Sequence, residues 1–231
     1  MTGLDRSATV AQIVTAHAVA ARVFQKHRID FCCHGNVTVP EACRERRLDP
    51  DAVFAELEAI LPADGREDAG DPRALPTASL IDRIVARHHG YLRSQLPYLG
   101  PLVAKVASVH GGRNAKLVAV EETFRELAET LGPHVDHEEA VVFPALLAPL
   151  PDAATVRREL DEMLDDHRAV GGLLARLREL TDGFTTPEWG CNTYRVVMHE
   201  LEALEADVLR HVHLENHVLM PRFAGAGGAP C

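Results

Sequence analysis

The sequence predicts an all-α fold: a four-helix up-down bundle preceded by a small helical domain. Three observations carry that expectation. Apolar residues recur at helical spacing along four long stretches, roughly 78–109, 115–148, 153–181 and 187–221. Ala, Leu and Val are abundant, whereas aromatic residues make up only 5% of the 231 positions, which favours helices over a sandwich or barrel. Gly, Pro and Asp punctuate the stretches, leaving short connections of the kind that join antiparallel bundle helices.

The third stretch has the clearest face, traced by Leu160, Met163, Leu164, Val170, Leu174 and Leu177. Pro97, Pro101 and Pro133 fall inside helical patterns and are expected to end or kink them locally. Upstream, residues 62–76 combine Pro, Gly and charge with almost no apolar periodicity and read as a linker. The expected domains are therefore 1–61, a small helical unit, and 77–223, the bundle, with 224–231 as a flexible tail. In the small unit Val10, Ile13, Val14, His17, Ala21 and Phe24 recur at helical spacing. Val53, Phe54 and Leu57 begin a second stripe that Ile60 and Leu61 close. Thr38, Pro40 and Glu41 form a helix start, and Ile29 to Gly35 form a loop. A unit of about 60 residues buries little surface and needs something to dock on.

With 46% hydrophobic and 25% charged residues the chain is globular. Its net charge is −10 and it has no Lys/Arg-rich run, so it lacks the basic footprint that nucleic acid or an anionic membrane requires. No unbroken apolar segment provides a signal peptide or a spanning helix, and a cytoplasmic location is expected. Five cysteines, two of them adjacent, do not form a secreted disulfide framework. Thirteen histidines are the first sign of metal.

An internal repeat carries the chemistry. His134-Val-Asp-His-Glu138 continues to Val141 and Pro144, and His211-Val-His-Leu-Glu215 continues to Val218 and Pro221. Both read H-x-x-x-E-x-x-V-x-x-P, 77 residues apart. His89 stands 45 residues before the first copy and His167 stands 44 before the second. Residues i and i+4 share a helix face, so each copy aims an imidazole and a carboxylate at one point. A charged Glu facing a bundle core is costly unless it is paired or bound to metal. One His-x-x-x-Glu is commonly a surface pair; its repetition, with proline at the same offset, argues for metal. Four imidazoles and two carboxylates suit two non-haem iron ions, with the carboxylates able to bridge. Periodicity alone does not choose between His88 and His89. His137, His213 and His217 lie near the motifs without recurring. His17, His27, His110 and His199 are read as ordinary histidines.

The chain resembles the hemerythrin-like iron–sulfur cluster repair di-iron proteins, the RIC or ScdA-type family, over nearly its whole length. The resemblance rests on Asp30-Phe31-Cys32-Cys33-x-Gly35 near the N-terminus. In the bundle it rests on Arg87-x-His89, Gln95-Leu96-Pro97, His134-x-x-x-Glu138 with Phe143-Pro144, His167-x-x-x-Gly171, and His211-x-x-Leu214-Glu215-Asn216 ending at Pro221. The family pattern selects His89 over His88. It implies an oxo-bridged di-iron centre held by His89, His134, Glu138, His167, His211 and Glu215. It also implies repair of clusters damaged by nitric oxide or oxidants, by iron donation or redox chemistry, with damaged iron–sulfur proteins as partners and NO or O2 as a small ligand. Reduction of nitric oxide is the enzymatic activity in view, and a homodimer is among the admissible assemblies. The sequence departs from the family at His34, where Gly is usual, and at Met220, where Phe is usual.

Cys32 and Cys33 are either a working thiol pair or two cysteines packing a tight turn. As neighbours they are badly placed to bridge each other. A helix starting near Thr38 would lower a nearby thiol pKa. Cys43 is expected to be packed, and Cys191 and Cys231 carry no motif. The alternative functions are O2 or NO binding or sensing without turnover, and metal storage.

Overall fold

The structure, a computed structural model, describes residues 4–61 and 71–223. The expected tail at 224–231, Cys231 and most of the expected linker lie outside the described residues. Among the described residues the regular structure is helical, the β-type pairing being an antiparallel bridge between Thr9 and Thr38. No helix among them is long and apolar enough to cross a membrane. The described chain forms two compact units. One comprises residues up to Leu80 together with those from Leu209 onward; the other is Ile81–Val208.

The first unit begins with α1 (Val10–Ala16), α2 (Ala21–Lys26), α3 (Val39–Arg46) and α4 (Pro50–Ile60). Helix starts are explicit in its sequence. Thr9 caps α1 in a capping box with Gln12, and Thr38 does the same for α3 with Glu41, whose carboxylate accepts from the Thr38 amide at 2.8 Å. The two capping residues form the β-bridge, beside which the Val10 amide donates to Val37 at 2.9 Å. Asp49 caps α4, whose first residue is Pro50. The apolar stripe from Val10 to Phe24 is interrupted at His17, which leaves the helical region (φ −139°), so two short helices form there. Val10, Phe24, Phe54 and Leu57 fill the core, and Cys43 is fully buried. Ile60, expected to close the second stripe, ends on the exposed side.

The four bundle staves are α5 (Thr77–Ile84) with α6 (Gly90–His110), α7 (Lys116–His137) with α8 (Phe143–Leu147), α9 (Ala153–Leu180), and α10 (Asn192–Leu214). Met163, His167, Val170, Leu174 and Leu177 form one buried row on α9, so His167 occupies a core position. Pro97, Pro101 and Pro133 do not end their helices. All three are on exposed positions, where water can satisfy the carbonyl each proline deprives of a partner. The fourth stave starts at Asn192 rather than near 187, because Pro187 to Gly190 close a turn, the Gly190 amide donating to the Pro187 carbonyl at 2.8 Å.

Candidate metal centre

Three of the staves carry one π-helical turn each: Val85–His89, Glu138–Val142 and Glu215–Leu219. His89 is the last residue of the first, and Glu138 and Glu215 open the other two. A π turn widens the helix and re-aims its side chains, and such turns gather at functional sites. Pro144 and Pro221 give a local cause for two of them. Each proline ring would crowd the carbonyl four residues back, Ala140 and His217, and each of those sits in a π segment. The first has no proline at the corresponding offset.

In the second unit His89, His134 and His167 surround Glu138. Glu138 is 1% exposed, and the three histidines are 0%, 6% and 1% exposed. The Nε2 atom of His89 lies 3.3 Å from Glu138 Oε2. The Nε2 atoms of His134 and His167 lie 3.1 and 3.9 Å from Glu138 Oε1. The opposite nitrogens are engaged elsewhere. His89 Nδ1 meets Glu139 at 2.7 Å, and His134 Nδ1 meets Asp166 at 3.1 Å. A carboxylate accepts, so Nδ1 carries the proton and Nε2 turns its lone pair towards Glu138. Lone pair and carboxylate then face each other in a buried space, an arrangement that calls for a cation between them. Arg93 holds Glu139 and Asp136 at 2.7 Å each. Burial raises the Glu139 pKa, but the bonds from Arg93 and His89 outweigh it and hold the carboxyl below its ordinary value.

His88 is also buried, yet its Nδ1 meets Asp207 at 3.0 Å, so it is His89 that faces Glu138. Phe143 stacks on His89 with ring centroids 5.8 Å apart.

In the first unit His211 and Glu215 are both fully buried, with His211 Nε2 2.9 Å from Glu215 Oε1. The i, i+4 geometry of the first copy therefore recurs in the second. His213, two residues on, is a fastener rather than a third donor: its Nδ1 donates to the Phe31 carbonyl at 3.0 Å, leaving Nε2, 3.0 Å from the Thr15 hydroxyl, to accept. Burial drops its pKa to about 4, so it is neutral.

The cysteine loop lies in the same unit. Asp30 Oδ1 accepts from the Cys32 and Cys33 amides at 3.0 and 2.9 Å, and the two sulfurs are 3.5 Å apart. Gly35 is required here, since a Cβ would come within 2.7 Å of the Phe31 carbonyl and 2.8 Å of the Ala11 side chain. The expectation of a helix-lowered thiol pKa fails for Cys32. Its hydrogen bond with Cys33, its burial and the adjacent Asp30 charge push that thiol well above the ordinary value. The low-pKa thiol is Cys191, which had no motif. His110 Nε2 lies 3.2 Å from its sulfur, and that contact, with the Tyr194 and Thr193 amides, lowers its pKa to about 7. Because Cys191 precedes α10, a capping reading of the sequence could have found the amides; His110 comes from 81 residues away. The carboxylates Glu139 and Asp166 were missed because adjacency to a ligand in sequence does not reveal which imidazole a side chain meets.

Buried histidines gathered on an inward-facing glutamate in a helical bundle define a metal-binding protein. A family model described as "Hemerythrin HHE cation binding domain" matches residues 80–223, and one described as "Domain of Unknown function (DUF542)", ScdA_N, matches residues 6–61. The "Iron-sulfur cluster repair protein ScdA" of Staphylococcus haemolyticus is 35% identical over 226 residues, covering 96% of this chain and 100% of the relative. The ScdA protein of Staphylococcus epidermidis is 31% identical, covering 93% and 97%. The "Iron-sulfur cluster repair protein YtfE" of Yersinia pseudotuberculosis is 31% identical, covering 94% and 96%. The chain belongs to this hemerythrin-like ScdA/YtfE family.

Proposed function

We propose that this protein restores iron–sulfur clusters damaged by nitrosative or oxidative stress, and that it does so in the cytoplasm through a di-iron centre. His89, His134, Glu138, His167, His211 and Glu215 are the residues that would hold it. The observation that carries the reading is the ring of imidazole nitrogens around the buried Glu138 carboxylate, two of them with their opposite nitrogen committed to another carboxylate. The sequence repeat supports a second carboxylate donor, because His211 and Glu215 reproduce the His134–Glu138 spacing. Nitrogen and oxygen donors in this ratio fit non-haem iron and leave room for a small ligand such as nitric oxide.

The chemistry supplied by bound iron is redox change and exchange of a diatomic ligand. The protein orients the imidazoles through Glu139 and Asp166 and keeps water from the buried donors. Cys32 and Cys33 are assigned to handling iron, which binds them as thiolates and so releases their protons. The similarity to proteins named for iron–sulfur cluster repair supports this activity.

The test is metal analysis joined to a repair assay. About two irons per chain, a visible di-ferric band and recovery of a nitric-oxide-damaged cluster enzyme are expected. One zinc per chain without visible absorption would instead indicate storage or a structural site. Iron with nitric oxide binding but no recovery would indicate sensing.

A further inference from the structure

The cysteine loop places three donors together. Asp30, Cys32 and Cys33 present ligand atoms that all lie within 4.8 Å of one another. His34 holds the carboxylate from outside this cluster, its Nδ1 2.8 Å from Asp30 Oδ2. We propose that Asp30, Cys32 and Cys33 form a separate mononuclear site for a thiophilic divalent cation of the Fe(II)/Zn(II) class, with His34 positioning Asp30. The proposal deepens the iron-handling role given to the thiols and rests on that reading for which cation is carried in the cell.

The spacings fit. Two thiolates on one tetrahedral cation, with metal–sulfur bonds of about 2.3 Å, stand about 3.8 Å apart. The sulfurs are 3.5 Å apart, and Cys32 Sγ is 3.3 Å from Asp30 Oδ1. A cation entering between them therefore asks only for a few tenths of an ångström of expansion. Two sulfurs and a carboxylate make a donor set that thiophilic cations favour over Mg(II) or Ca(II).

The loop is held in advance. The Phe31 carbonyl accepts from His213 at 3.0 Å, and the Cys32 carbonyl accepts from Asn216 at 2.8 Å. Access comes from the His34 side, whose side chain is 74% exposed. Binding releases the two thiol protons to solvent and forms two metal–sulfur bonds; nothing is oxidised or reduced.

The experiment uses the full, iron-loaded chain carrying Cys191→Ser and Cys231→Ser, titrated anaerobically with Co(II) alone. The expected result is one equivalent of cobalt giving an intense near-ultraviolet thiolate band, displaced by Zn(II). Cys33→Ser should abolish the band. His34→Ala, at an exposed position where folding is not in question, should weaken affinity at least about tenfold. No band in the parent protein, a band undiminished in Cys33→Ser, or an unchanged affinity in His34→Ala would overturn the site and the positioning role of His34. Iron occupancy is counted separately. A cobalt band on a chain whose bundle holds no iron supports this site while sinking the di-iron reading; two irons without the band do the reverse.

Discussion

The side-chain amide of Asn216 donates to the carbonyl of Cys32 at 2.8 Å. This bond ties the cysteine loop to the residue that follows Glu215, and the His213–Phe31 bond reinforces it three residues earlier on the helix. The small N-terminal domain, too short to be secure alone, thus has a specific mooring.

Replacing Asn216 by Ala removes one hydrogen bond and leaves the Cys32 carbonyl half-buried. A loss of about 1 kcal/mol is expected, seen as a lower denaturation midpoint with iron content retained. An unchanged midpoint would mean the mooring lies elsewhere.

Gly35→Ala acts on the same loop by steric means. A Cβ 2.7 Å from the Phe31 carbonyl forces backbone movement, so a destabilisation of roughly 1–3 kcal/mol is expected. Thiol accessibility should rise in parallel, with Cys32 labelled faster under native conditions.

Glu139→Gln keeps the shape but removes the charge that orients His89. Iron affinity should fall roughly 10–100-fold, measured by competition with a chelator, while the apo-protein unfolds much as before. Equal affinity would show that the His89 tautomer is set by something other than Glu139.

His134→Ala removes a buried donor beside Glu138. Less iron should be retained, and the stabilisation that bound metal confers, about 2.7 kcal/mol at a free concentration a hundredfold above Kd, should shrink with it. Full iron occupancy in this variant would contradict the ligand assignment.

Alkylation of Cys191 should follow its pKa of about 7. A lowered pKa enlarges the thiolate fraction at neutral pH, so the rate rises through pH 7 and levels off where an ordinary thiol is still climbing. His110→Gln should move that rise to higher pH. Cys32, whose pKa is shifted upward, should react last.

Several of these effects were open to a reader of the sequence and others were not. The repeat gave the i, i+4 geometry directly, because His134 and Glu138 are bound to share a face whenever the segment is helical. The His88/His89 ambiguity was not soluble by periodicity: both are buried, and a π turn ending at His89 alters the angular spacing that a 3.6-residue count assumes. The prolines misled for a related reason, since interior proline is tolerable on a solvent-facing position. The start of α10 shifted because Gly190 completes a turn that an apolar pattern does not register.

By itself the sequence determined the all-helical class, the position of the repeat and the shared helix face of each His–Glu pair, since all three depend on neighbours within a few residues along one helix. Only the tertiary structure decided that Glu139 orients His89, that Asp166 orients His134, that Asn216 holds Cys32 and that His110 activates Cys191. Those pairs join residues from 32 to 184 positions apart. Hydrogen bonds are short-ranged and directional, so which partners meet is set by how helices pack, and no local pattern records it.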